Sequence, residues 1–553
     1  MKTTSSLAKL GAAALLLVSL TSCEDILEQY FPKPTPPPVI PTFPPLGQDI
    51  AFYALSGGTK LDAYSTKNAA TRLSSVNITG LGNGETLLAI DFRPATGQLY
   101  GVSSASRLYV INQNTGAARA IGSGAFTPAL GGNLVGFDFN PTVDRIRLVT
   151  STGQNLRLNP ETGAVAATDG AITGAAGAAI NGAAYTNNTT KAATTVLYDL
   201  DPATDQLYRQ DPPNDGTLVA VGSLNLNISG DGGFDIDAKT GTALGLYSVS
   251  GNPTLFTVNL ATGAARPLAQ YATSLAYSGI AIPTQPVIYA AGFITIPLRG
   301  TFNSLYTFDP TNTTDPTAAI TQQFGGLAIN QQVVGLDFRP ATGQLYALII
   351  GQGARYLNGI DYIASTRLYT IDLVTAMATP VADLSIPLSF SSGTSAYTFD
   401  FDPIDDRIRI VRRSGGQNLR VNPTDGVVTV DSNLNPALPS VSAVAYDNSF
   451  VGATSTKLYV LGSNKLYLQN PPNAGTLTEI GTIGLSGFSS TTTSVNVFDI
   501  GGTSNTAYAI SIGSNNQNEV SILDLATPRA TFLRKLNLAG GPFIFSLAVA
   551  PGF

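Results

Sequence analysis

The chain has 553 residues, 43% apolar and only 12% charged, against roughly 25% charged in an average soluble domain. It is long enough for two or more cored domains, with a surface built mainly from neutral polar groups. The net charge of −6 is spread thinly and no Lys/Arg run occurs, which excludes a nucleic-acid backbone as partner; with no histidine and a single cysteine, Ser-His-Asp and Cys-His catalysis, zinc or iron sites of the usual ligands and internal disulfides are excluded as well. Tryptophan is also absent, so any stacking platform for a sugar must be Tyr or Phe.

At the N-terminus, Lys2 and Lys9 precede the apolar stretch Leu10–Leu20, which is too short to span a bilayer. Leu20-Thr21-Ser22-Cys23 resembles the lipobox of bacterial lipoprotein signals. That resemblance implies a signal peptide over 1–22 and an acylated Cys23 as mature N-terminus, anchored in the outer membrane or at the cell surface. An ordinary secretory signal and a membrane helix are the alternatives. Residues 23–47 then form a linker in which PKPTPPPVIPTFPP favours polyproline II, a stalk of roughly 40 Å at ~3.1 Å per residue.

Past the stalk the sequence repeats at two levels. DFRPATGQLY at Asp91–Tyr100 returns unchanged at Asp337–Tyr346, and DFNPTVDRIRLVTSTGQNLRLNP from Asp138 returns as DFDPIDDRIRIVRRSGGQNLRVNP from Asp400. DPPNDGTLVAVGSL from Asp211 likewise returns as NPPNAGTLTEIGTI from Asn470, in the same block order. This predicts a tandem duplication, with domains over 48–285 and 286–553. Inside each half, an apolar-Asp-apolar block recurs about every 47 residues. Asp91, Asp138, Tyr185, Asp235 and Ala281 fall in register, as do Asp337, Asp400, Tyr446, Asp499 and Ala548.

Each unit reads as four strands. LLAIDF, QLYGVS, RLYVIN and ARAIG are divided by short turns such as Pro-Ala-Thr-Gly and Gln-Asn-Thr-Gly. Leu108 and Val110 lie on one strand face and Tyr109 and Ile111 on the other, so both faces are apolar and both need cover. The expected fold is all-β, two tandem β-propellers of about five four-stranded blades each. AFYAL, KLDAYS and TRLSSV lack a leading strand that SLAYSGIAIP supplies; VIYAAGF and SLYTFDP lack one that FSLAVAP supplies. Joining each pair closes a fifth blade. A pair of β-sandwiches is the alternative. In combination GFDFNP, DRIR, TGQNLR, AAYTNN and PPNDGTL resemble the bacterial family of domain of unknown function 4394, over both halves. The resemblance implies the domain unit and no activity. Tyr446-Asp447-Asn448 and Asn473-Ala474-Gly475 depart from the pattern, which puts the roles of those loops in doubt.

Carboxylates, Arg, Lys and Tyr remain for chemistry. Asp91, Asp138, Asp235, Asp337, Asp400 and Asp499 either face a central channel, where they could hold a cation or ligand, or bond backbone N–H groups of the following turn or the next blade. Arg145, Arg147 and Arg157, and likewise Arg407, Arg409 and Arg420, share one face of a hairpin and could grip an anionic glycan or carboxylate; pairing with Asp144 and Asp406 is the competing expectation. Asp199, Asp201 and Asp205 lack the spacing of a calcium loop. No catalytic residue, metal or cofactor is expected. The leading expectation is a monomeric, non-enzymatic envelope lipoprotein binding protein or glycan; a carbohydrate-active hydrolase or lyase using paired carboxylates, and an outer-membrane assembly scaffold, are the alternatives.

Overall fold

The computed structural model describes residues 43–296, 300–315, 319–328, 331–351, 365–388, 397–485, 496–512, 517–538 and 544–553. The expected signal peptide, Cys23 and most of the expected stalk lie outside them. Among the described residues the only helical segments are single 3-10 turns, and the strands form ten four-stranded antiparallel sheets. Eight sheets take four consecutive strands, such as Leu87–Phe92, Leu99–Ser103, Leu108–Ile111 and Ala118–Ile121. The other two are composite. Tyr277–Ala281 pairs with Ala51–Ser56, and Ile544–Val549 pairs with Ile288–Ile296, so each group of five sheets is completed by the strand that its first sheet lacks.

The physical reason lies in strands with no wettable face. All four residues of Leu108–Ile111 are buried. Leu108 and Val110 pack with Phe137 and Leu148 of the following sheet, while Tyr109 and Ile111 pack with Leu55, Leu61 and Ile78 of the composite sheet. At about 1.5–3 kcal/mol per large apolar side chain removed from water, a sheet without a neighbour on either face forfeits much of its stability. The first strands show where this leads. Leu87–Phe92 contacts Val135–Asn140, which contacts Gly182–Tyr185, then Ile228–Ile236, then Tyr277–Ala281, which returns to Leu87–Phe92. In the second half Gln331–Arg339, Tyr397–Asp402, Val441–Tyr446, Val497–Ile500 and Ile544–Val549 follow one another in the same cyclic order.

A recurring turn ties neighbours together. In Asn112-Gln113-Asn114-Thr115-Gly116 the Asn112 Oδ1 accepts from the amides of Asn114 and Thr115, and Gly116 adopts φ of 76°. A Cβ there would stand 2.0 Å from the Asn77 carbonyl oxygen of the preceding sheet. Glycine therefore serves both the turn and the close approach. Gly426 repeats the device in the second half, where a Cβ would meet the Asp383 carbonyl at 2.1 Å.

The two copies of DFRPATGQLY meet at the junction between the halves. Tyr289 Oη donates to the Ala95 carbonyl at 2.9 Å and Gly552 N to that of Thr96 at 2.8 Å. Ala95 joins an apolar cluster with Tyr289, Phe338 and Leu373, and a Cβ on Gly343 of the second copy would stand 2.8 Å from Gln98 Oε1 of the first. Lys191 reaches across to Gln322, and burial pushes its ammonium down to about 8.

The closeness of the inner strands gives a test. A Cβ on Gly233 would lie 2.4 Å from the backbone N of Ile280, whereas Gly124 has open space and an ordinary φ. Gly233→Val is expected to lower stability by about 1–3 kcal/mol in urea unfolding. Gly124→Ala should leave the midpoint nearly unchanged.

Candidate axial carboxylate site

The repeated aspartates converge at the centre of each cycle of inner strands. One carboxylate oxygen each from Asp91, Asp138 and Asp235 lies within 4.8 Å of the other two, and Asp337, Asp400 and Asp499 form the same arrangement. All six are buried. They also join neighbouring sheets. Asp91 Oδ2 accepts from Phe139 N at 3.0 Å, Asp235 Oδ2 from Ile282 N at 2.6 Å, Asp337 Oδ2 from Phe401 N at 2.7 Å, Asp400 Oδ1 from Tyr446 N at 2.9 Å and Asp499 Oδ2 from Val549 N at 2.6 Å, each donor belonging to the next sheet in the cycle. Central placement and a bond to the next sheet, weighed as alternatives from sequence, occur together.

The two triads differ in how their oxygens are satisfied. In the second, Asp337 and Asp499 each use both oxygens on amides, and Asp400 Oδ1 accepts from Tyr446 N. In the first, Asp235 uses both oxygens, but among the described residues Asp91 Oδ1 and both oxygens of Asp138 have no hydrogen-bond partner. The amides of Tyr185 and Phe139 are near enough to favour an ionised Asp138, yet no hydrogen bond reaches it. Burial, and then the neighbouring aspartates, hold the carboxyls of Asp91 and Asp138 well above the ordinary range. Burial pushes Asp235 and Asp499 up to about 7 against the pull of their amide donors.

The way in differs too. In the first half a hollow of about 10 Å³, close to the space one water needs, is lined by residues of the inner strands that precede the aspartates, among them Gly136, Gly182, Gly232, Gly233 and Gly279. The corresponding hollow of the second half is lined in part by Arg413. Its guanidinium donates to the carbonyls of Ser442 and Phe545, finds no carboxylate among the described residues and is pushed down by burial. The aligned residue in the first half is Ser151.

The arginine hairpins are interior ties. Arg147 pairs across strands with Arg157, and both bind Asp169, at 2.6 Å and 2.8 Å. Arg147 is 1% exposed and donates further to Asn155, to Tyr185 Oη and to Asn214 Oδ1 at 2.7 Å, so it spans two sheets. Arg409 and Arg420 share Asp431 in the same way, and Arg409 reaches Asn473 Oδ1 at 2.7 Å. The departure at Asn473-Ala474-Gly475 therefore leaves this contact intact. Arg145 and Arg407 stand apart, each donating to the carbonyl of its preceding aspartate. The expected pairing with Asp144 and Asp406 is corrected: these side chains bind Arg93 and Arg339 of the preceding sheet. Burial would raise the Asp169 carboxyl, but Arg157 and Arg147 hold it below its ordinary value. Sequence reasoning missed Asp169 and Asp431, although each sits at the same place in its repeat, a legible signal.

Asp199, Asp201 and Asp205 do not share a site. Asp201 accepts from the amides of Ala179 and Ala203, and Asp205 from that of Ile228. Asp199 lies opposite Ala183, both of its oxygens lack a partner, and burial pushes its carboxyl up to about 8. The second repeat has Val460 at that place.

Two outcomes follow from these environments. Arg409→Ala strips the buried Asp431 of one of its two guanidiniums and should cost about 3–5 kcal/mol in urea unfolding, while Arg407→Ala should stay within about 0.5 kcal/mol. For Asp199 the folded state holds its proton to about 8 and the unfolded chain releases it near 4, so its contribution to stability is lost as pH rises from about 4 to about 8. Asp199→Val should flatten that part of the stability–pH profile and raise stability at pH 8.

A comparison with curated proteins found no match. Among solved structures, the extracellular domain of the one-component system BT4673 from B. thetaiotaomicron aligns at 9% identity and a TM-score of 0.23, covering 92% of this chain and 79% of that one. The major Malassezia sympodialis allergen Mala s 1 aligns at 13% identity and 0.27, over 46% of this chain and 75% of that one. A puromycin hydrolase mutant complexed with PGG aligns at 16% and 0.25, over 62% and 52%. The family model described as Domain of unknown function (DUF4394) matches residues 60–281 and again 304–547. The chain belongs to that family and carries two tandem copies of its domain.

Proposed function

We propose that the protein is a lipid-anchored cell-envelope protein in which two closed five-bladed β-propellers, over 48–285 and 286–553, stand on a proline-rich stalk and bind a protein or glycan without turning it over. The observation that carries this reading is where the repeated charged groups go. Arg147, Arg157, Arg409 and Arg420 are used on Asp169 and Asp431, and Arg93 and Arg339 on Asp144 and Asp406. The repeated guanidiniums are thus held on carboxylates within a sheet or across to the next one, leaving recognition to the neutral loops and outer strands.

The hydrolase alternative draws no support from the axial carboxyls. Paired carboxylates in glycosidases stand about 5–10 Å apart across an open cleft. Here the oxygens lie within 4.8 Å in a buried cluster, with no room between them for a sugar.

A more suitable surface lies on the tenth sheet, on strands Asn518–Asp524 and Arg529–Leu536. A groove of about 370 Å³ is lined by Leu485, Ser521, Ala530, Phe532 and Lys535, with Phe532 54% exposed. An exposed ring beside polar groups suits the apolar face of a sugar or a peptide side chain.

Anchoring and binding are tested separately. Cys23→Ala should shift the protein from the membrane to the soluble fraction of broken cells, and protease treatment of intact cells should remove the folded part if it faces outward. On a glycan array or against envelope extracts, the protein should retain a ligand unaltered and Phe532→Ala should weaken retention. Release of a cleaved product would replace the binding reading with the enzymatic one.

A further inference from the structure

We propose that the first half of the chain holds one hard divalent cation at its centre, on Asp91, Asp138 and Asp235, and that the second half, despite the same three aspartates, does not. Two buried features of the first half point to this beyond the clustering itself. Asp138, 1% exposed, has neither oxygen hydrogen-bonded, and Asp91, 2% exposed, has Oδ1 free, so three buried acceptor oxygens are left unmatched where the triad converges. Among the described residues no cationic side chain answers them. Arg147 pairs across strands with Asp138, but its guanidinium is occupied by Asp169, Asn155, Asn214 and Tyr185.

Three converging carboxylates in a dry interior repel one another, and unpaired buried charge is among the costliest arrangements a protein can hold. A metal ion removes the conflict. Two oxygens bound to one calcium ion at about 2.4 Å can be at most about 4.8 Å apart, and the three carboxylate oxygens lie within 4.8 Å of one another. An all-oxygen, carboxylate set selects Ca²⁺, Mg²⁺ or Mn²⁺ over softer metals. A hollow about one water in size is lined by glycines and by the residues that immediately precede the three aspartates, Ile90, Phe137 and Phe234.

The second half has resolved the same conflict by other means. Amide donors reach all three residues, filling both oxygens of Asp337 and of Asp499 and Oδ1 of Asp400. Arg413, at the place of Ser151, puts a guanidinium in the lining of the hollow a cation would have to enter. One ion per chain is therefore the expected stoichiometry, rather than two.

The test is isothermal titration of CaCl₂, MgCl₂ and MnCl₂ into detergent-solubilised full-length protein stripped with EDTA. At least one of these salts should bind at one equivalent per chain, with affinity at least about 100-fold weaker in Asp138→Asn and Asp91→Asn and unchanged in Asp400→Asn. No binding by any of the three ions overturns the proposal. So does binding that survives in Asp138→Asn, or a second equivalent that Asp400→Asn removes. Should either first-half variant fail to fold, the wild-type melting temperature decides: it should rise with the bound ion and fall back on chelation, and an unchanged value overturns the proposal.

Discussion

A strand such as Leu108–Ile111 has no side that tolerates water, and its sheet is stable only with a neighbour on each face. That requirement propagates: each added sheet covers one face and presents another, so an open row always ends in exposed apolar surface. A cyclic order of neighbours removes the end, and each half of this chain has one. The composite sheets follow from the same need. With Tyr277–Ala281 beside Ala51–Ser56, and Ile544–Val549 beside Ile288–Ile296, the first and last segments of each half are stitched into one sheet by backbone hydrogen bonds.

Within that frame charge is used as joinery. The interior contains guanidiniums and carboxylates that would be prohibitive singly, but Arg147 and Arg409 each meet a carboxylate, two asparagine carbonyls and a tyrosine hydroxyl with good geometry. Such a set adds little to stability over an apolar substitute and much to specificity, because a shift of one sheet against the next would leave several donors unmatched. The axial aspartates act on the same principle through backbone amides of the following sheet.

The two copies of the domain have kept this joinery and diverged around it. Asp199 faces Val460, Ser151 faces Arg413, and Asp215 faces Ala474, while Asn214 and Asn473 hold the same arginine contact. Of the residues that differ, Arg413 makes contacts of its own to other sheets, through the carbonyls of Ser442 and Phe545. At the centre, by contrast, the same three aspartates persist with different hydrogen-bond partners, three buried oxygens of the first set lacking a donor among the described residues and two residues of the second using both oxygens on amides.

The sequence by itself determined the all-β class, the period, the doubling, the four strands per unit and the completion of each half by its last strand, because all of these follow from local hydrophobic alternation and turn chemistry. It also put Arg147 beside Arg157, since pairing across a short hairpin is local. The tertiary structure decided the rest. That Asp91, Asp138 and Asp235 meet within 4.8 Å, that Arg147 reaches Asn214 in the next sheet, and that the two copies of one decapeptide lie against each other all depend on how sheets distant in sequence pack together. Spacing along the chain carries no record of that packing, because it is set by side chains meeting between sheets.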